Sequence, residues 1–276
     1  MAPIGDPESN ADTCQNSTSK SDLKTRVSPS RIAFGSCNHQ NREQPLWKIV
    51  KSRRPAAFVW GGDAIYADRF AGIDWSTFPP APIHISATPE SLNELYRTQL
   101  EHADYKELLD STNLTVFGSV DDHDYGANNG DKFYQYKRES GMAFVKFTKE
   151  PDDSPISKRA RKGFGVYGVK LFDFSRPEGD YLVPDHEALI DADMLEDNEE
   201  RVGEYSSDTS VAIFVLDCRT NKTPWAKGFA AWSRDWQGDF FGEEQWKWFE
   251  ASLKLSKASI NVIVQGLQVH AHRHVP

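Results

Sequence analysis

Cysteine is scarce: Cys14, Cys37 and Cys218 are the only three in 276 residues. They are too few and too scattered for a disulfide framework, and no Cys-x-x-Cys spacing suggests a zinc knuckle. The compartment is therefore not decided by cysteine, and three Asn-x-Ser/Thr sequons at Asn16, Asn113 and Asn221, against roughly one expected by chance, barely favour a secretory route. A long apolar run is also missing, and the first twenty residues lack the basic-then-apolar order of a secretion signal, so the chain reads as soluble without a membrane span. Excess positive charge is missing too. A net charge of -9 argues against binding a nucleic-acid backbone, which requires a basic face to displace counterions. No internal repeat is visible.

What remains is enough for one large α/β domain: 38% hydrophobic and 12% aromatic residues, with a charged fraction of 26% that points to generous polar loops. Residues 1–28 are Ser, Asn, Asp, Thr and Lys with almost no large apolar side chain, and are expected to be a flexible tail. The domain is expected over 29–276. RIAFGSC from Arg31 reads as a short strand, followed by a helix from Pro45 with Leu46, Ile49 and Val50 inward. Ala56 to Trp60 is a strand that stops at Gly61 and Gly62, and a Pro-rich excursion around PPAP follows. Thr88 caps a helix with Pro89 in its first turn and Leu92, Leu95, Tyr96 and Leu100 on its buried face.

Leu114 to Val120 returns to strand character, and a helix over 131–147 places Phe133, Tyr136, Ser140, Phe144 and Phe147 on one stripe. Gly165 to Phe174 and SVAIFVLDCRT are strands, separated by an acidic surface insertion at about 178–209. Glu243 to Leu253 reads as a helix with Trp246, Phe249 and Leu253 inward, and Asn261 to Val264 as a last strand. Strands alternating with helices imply an α/β fold whose site sits at the carboxyl ends of the strands.

Three strands end in chemistry. Cys37 follows the first, Asp63, Tyr66 and Asp68 follow the second, and Asp121, Asp122, His123 and Asp124 follow the strand 114–120. Brought to one crevice, carboxylates this crowded repel one another unless cations or protons neutralise them, so a bound metal is the economical explanation. Taken singly, Cys37 reads as an apolar filler and Gly-Gly-Asp as a turn. The run Asp121 to Asp124 is harder to reconcile with turn chemistry alone. Asn128 and Asn129 are either turn residues or oxygen ligands, and Gly130 reads as a turn. Asp217 and Arg219 form an ion pair or meet an anionic substrate, the pair being the plainer reading. His270, His272 and His274 alternate, but read as a solvated loop rather than a metal site.

These pieces resemble the alkaline phosphatase D (PhoD-like) metallophosphatases. The matching blocks are FGSCN from Phe34, WGGDAIYAD from Trp60, DDHDYGANN from Asp121, VLDCRT from Val215, GEEQWKWFEASL from Gly242 and VIVQGLQ from Val262, in the family's order. The resemblance implies a metallo-dependent phosphatase sandwich, two β-sheets flanked by helices. It also implies Fe(3+) held by Cys37, Asp63 and Tyr66, with Asp63 bridging to a second cation, Ca(2+), that Asp122 also binds. His123 would stand beside the substrate, oriented by a neighbour such as Asp124, while Asn128, Asn129 and Arg219 would contact it. The implied activity is hydrolysis of small phosphate mono- or diesters by a metal-activated hydroxide. Family members are often exported. They also continue to a further strand and a Gly-Asp-x-His segment that this sequence, ending at Pro276, does not contain. The expectation is thus a domain with its last strands missing, weak metal retention and little activity, or else an inactive binding or scaffold protein.

Overall fold

In the computed structural model, the structure describes residues 30–78, 80–184, 207–225 and 238–267. The chain opens with β1 (Ile32–Gly35), α1 (Leu46–Arg53) and β2 (Ala57–Gly61). A hairpin of β3 (Arg69–Asp74) and β4 (Ala81–Ile85) follows, then α2 (Pro89–Glu101) and α3 (Ala103–Ser111). β5 (Thr115–Ser119) leads straight into a one-turn helix, α4 (Asp122–Tyr125), and then come α5 (Lys137–Phe147) and α6 (Pro155–Lys162). The second half supplies β6 (Gly168–Asp173), β7 (Ser210–Leu216), α7 (Gly242–Leu255) and β8 (Ile260–Gln265).

Two three-stranded sheets dominate. The first has the order β1-β2-β5 and is parallel throughout. The second has the order β6-β7-β8, with β6 antiparallel and β8 parallel to β7. Side chains alternate across each strand, so β2 serves two cores at once. Ala57 and Val59 join Phe117, Phe172, Ile213 and Val215 in a buried cluster that places the sheets face to face. Phe58 and Trp60 point the other way, into an aromatic core with Trp47 of α1, Tyr96 of α2, Tyr105 of α3 and Phe147 of α5. The outer face of the second sheet is covered by α7, where Trp248 meets Leu171, Phe214 and Leu216. Ser119 ties the layers together by donating from Oγ to the Leu216 carbonyl at 2.6 Å.

The arrangement is mixed α/β, with the carboxyl ends of β1, β2 and β5 all at one edge because the strands run parallel. α2 begins as expected, with the Thr88 side chain accepting from Ser91 N–H and Pro89 in the first turn. Several details differ. On α1 it is Trp47 that is buried, while Leu46 and Ile49 are exposed. On α7 the buried residues are Gln245, Trp248 and Ser252, with Trp246 exposed and Phe249 only partly buried. The helix expected over 131–147 starts only at Lys137, and Phe133 is exposed in a turn whose Asp131 carboxylate accepts from Phe133 N–H. The Pro-rich excursion is the β3–β4 hairpin, a free-standing pair where Pro82 is tolerated because it lies on an edge strand. At the start of the acidic stretch Tyr181 is buried and Leu182 bridges to Phe172. No helix among the described residues is long and apolar enough to cross a membrane.

Candidate metal centre

The loops that leave β1 and β2 are held in contorted form. Among the described residues, five non-glycine residues have positive φ, and three of them are Cys37, Asp63 and Asn129. The other two, Arg54 and Lys149, follow helices, where the left-handed conformation is an ordinary stop. Left-handed backbone at Cys37 and Asp63 is costly, and it persists because the surroundings over-determine it. Asn38 N–H donates to the Asp63 carbonyl at 2.8 Å, and Asn38 Nδ2 reaches Gln99 Oε1 at 2.7 Å. Buried Gln44 and Gln99 exchange amide bonds of 2.8 and 2.9 Å. Gln40 grips the backbone of Tyr66 from both sides, at 2.9 and 3.2 Å.

This scaffold brings the strand-end groups together. The Cys37 thiol lies 3.7 Å from Asp63 Oδ2, and the Tyr66 phenol is close enough to both for them to raise its pKa. Donor atoms of Asp63, Asp122 and His123 all lie within 4.8 Å of one another. Asp63 is buried, yet its carboxylate accepts only weakly, from His123 N–H at 3.3 Å and from the thiol. Burial, followed by the like charges of Asp121 and Asp122, pushes its pKa up to about 6. Burial together with Asp63 and Cys37 likewise raises the Tyr66 phenol. Asp63 and Tyr66 are thus each set against their charged forms, which is the condition a bound cation relieves.

His123 stacks on Tyr66 with ring centroids 4.2 Å apart, and Tyr66 stacks in turn on His39 at 5.4 Å. Burial alone would lower the His123 pKa. Hydrogen bonding to Asp68 and the charges of Asp122, Asp68 and Asp63 outweigh it, and the net shift is upward. The partner of His123 Nδ1 is Asp68, not Asp124. The Asp124 carboxylate is fully buried and occupied by backbone donors, Asp121 N–H at 2.6 Å and Ala64 N–H at 3.1 Å. It closes the first turn of α4 and cannot reach out to orient an imidazole. Asp68 also accepts from His84 Nδ1 on β4.

Arg219 is held by the acidic run of the first sheet. Its guanidinium is buried and bound to Asp121, with Nε to Oδ1 at 2.5 Å, and it approaches Asp122 Oδ1 at 3.5 Å. It is a counter-ion of that run, and its Nη1 is buried without a hydrogen-bond partner among the described residues. Nor does it pair with the Asp217 carboxylate, which accepts from the backbone of Val166, Arg219 and Thr220. Asp121 fits between glycines: a Cβ on Gly62 would fall 2.4 Å from its Cβ, and one on Gly266 would fall 2.6 Å from its Cγ. Asn129 contributes its N–H to Asp122 Oδ2 at 2.7 Å, and Asn128 is half-buried beside it. His270, His272 and His274 lie outside the described residues.

His84 and His39 were not among the residues that the sequence singled out. Neither stands in a motif, and His84 enters only because the unrecognised hairpin carries it to Asp68.

No protein-family model matches the chain, and no curated protein matches it. A solved structure titled "Structure of PhoD" is similar at 17% sequence identity and a TM-score of 0.45, over 85% of this chain and 41% of that one. The chain thus spans less than half the length of that protein.

Proposed function

We propose that the chain is a metal-dependent phosphate ester hydrolase of the PhoD-like kind, with its centre at the carboxyl ends of β1, β2 and β5. The observation that supports this most is the gathering of Cys37, Asp63, Tyr66, Asp122 and His123 from three separate strand ends. The donor set fits two unlike cations. Thiolate, phenolate and carboxylate from Cys37, Tyr66 and Asp63 suit a trivalent iron, whereas carboxylate oxygens of Asp63 and Asp122, with amide oxygens such as those of Asn128 and Asn129, suit calcium. Bound there, the cations supply an activated water and neutralise phosphoryl charge.

The protein's own groups do the rest. Asp68 fixes the His123 ring through Nδ1, which leaves Nε2 as the nitrogen facing the reaction. As the bond from phosphorus to the ester oxygen breaks, His123 would donate its Nε2 proton to the departing oxygen; the new P–O bond would come from a water whose released proton passes to solvent, which reprotonates His123. Asp124 and Arg219 stabilise the loop and the charge of Asp121 without touching substrate.

The test is turnover of an aryl phosphomonoester and an aryl phosphodiester by protein reconstituted with iron and calcium, with and without chelator. Metal-dependent turnover that drops about a hundred-fold or more in His123→Ala supports the reading. Absence of metal-dependent turnover of both esters contradicts it.

A further inference from the structure

The geometry points to His84 as a positioning residue of this centre, acting on His123 through the shared carboxylate of Asp68. The Asp68 side chain is almost wholly buried and receives two imidazoles, His84 Nδ1 at Oδ2 and His123 Nδ1 at Oδ1. An ionised carboxylate is an acceptor only, and each of its oxygens here meets one ring nitrogen. Both Nδ1 atoms must then carry the proton, which sets the same tautomer on both rings. A carboxylate held at one oxygen alone can swing about its Cβ–Cγ bond. Held at both oxygens, it presents a fixed lone pair to His123.

The ring contacts agree. His84 and His123 stand 6.4 Å apart by centroid, and Phe70, across the strand pair on β3, packs edge-on to His84 at 5.8 Å. The hairpin thus reaches the centre through one polar chain, from His84 to Asp68 to His123, and the His123 ring is further clamped by Tyr66. Among the described residues, His84 supplies the hydrogen bond at Asp68 Oδ2, opposite the one from His123 at Oδ1.

The activity readout rests on the hydrolytic reading, but a second readout does not. In the full chain, His84→Ala is expected to lower kcat about ten-fold with KM little changed. His84→Asn, whose Nδ2 can replace the imidazole donor, is expected to recover most of that loss. Independently of turnover, proton NMR of the metal-free protein should show a low-field Nδ1–H resonance for His123. That signal should weaken or exchange faster in His84→Ala and return in His84→Asn. If the wild type has no turnover, the hydrolytic reading fails while the NMR comparison still decides the role of His84. A His123 Nδ1–H signal unchanged in a folded His84→Ala protein overturns the inference. If that variant does not fold, His84→Asn and His84→Gln decide: a normal signal in Gln, which lacks the matching donor position, overturns it equally.

Discussion

Two buried aspartates stand just beyond the ends of central strands, Asp63 after β2 and Asp217 after β7, and their surroundings are opposite. Asp217 is saturated: its carboxylate accepts from the N–H groups of Val166, Arg219 and Thr220 and from the Thr220 hydroxyl, all within 2.9 Å. Even its backbone is bracketed, by Gln245, at 2.8 Å on both N–H and C=O. Asp63 has one long bond from an N–H and a thiol at 3.7 Å, with like charges close by. The first carboxylate completes the fold. The second is left with acceptor capacity that the fold does not use, and a side chain in that condition is where a ligand is to be sought.

The contrast breaks most sharply under substitution. Asp217→Ala strands several buried donors, and should cost at least about 3 kcal/mol in a denaturant titration. Asp63→Asn should leave the metal-free stability near neutral pH unchanged or higher while abolishing metal binding. Arg219→Ala exposes the link between the two regions. It leaves Asp121 buried without its counter-ion, and a loss of about 3 kcal/mol is expected, accompanied by weaker metal retention at Asp122.

The pH dependence follows from the sign of the Asp63 shift. Its pKa is raised in the folded state, so the native protein holds that proton more tightly than the unfolded chain. The stability it contributes is complete below about pH 4 and is lost as pH rises through about 6. In metal-free protein this amounts to on the order of 2–3 kcal/mol, read as the difference in pH profile between wild type and Asp63→Asn. Added metal should abolish that decline. The smallest effect concerns the bridge between sheets: Ser119→Ala removes the bond to the Leu216 carbonyl and should cost about 1 kcal/mol with no change in metal affinity.

How much of this was legible in the sequence depended on whether a feature was local. Strands such as SVAIFVL and AFVWG are continuous apolar runs: the second lies one residue from its expected bounds, while the first starts as expected at Ser210 but stops at Leu216, before the polar residues 217–220. The clustering of Cys37, Asp63, Tyr66, Asp122 and His123 was also readable, because a parallel sheet delivers consecutive strand ends to one edge. Helix faces were less so. On α7 the aromatic count favours Trp246, but the helix turns Gln245 inward because the Asp217 backbone requires a partner, and Trp248 and Ser252 follow one turn and two turns later. On α1 four apolar residues compete for one face, and Trp47, with the largest area, takes it. The roles of Asp68, Arg219 and His84 depend on contacts between residues 16 to 98 positions apart, which no local pattern encodes.

The central claim is that Cys37, Asp63 and Tyr66 form one metal-binding set. Titration of ferric iron into the chelator-treated protein, followed by visible absorption, tests it most directly. The account predicts a phenolate-to-iron band that saturates with bound metal, disappears in Tyr66→Phe although iron is still retained, and is lost together with the iron in Asp63→Asn. A wild-type protein that binds no iron, or iron binding identical in all three proteins, would contradict it.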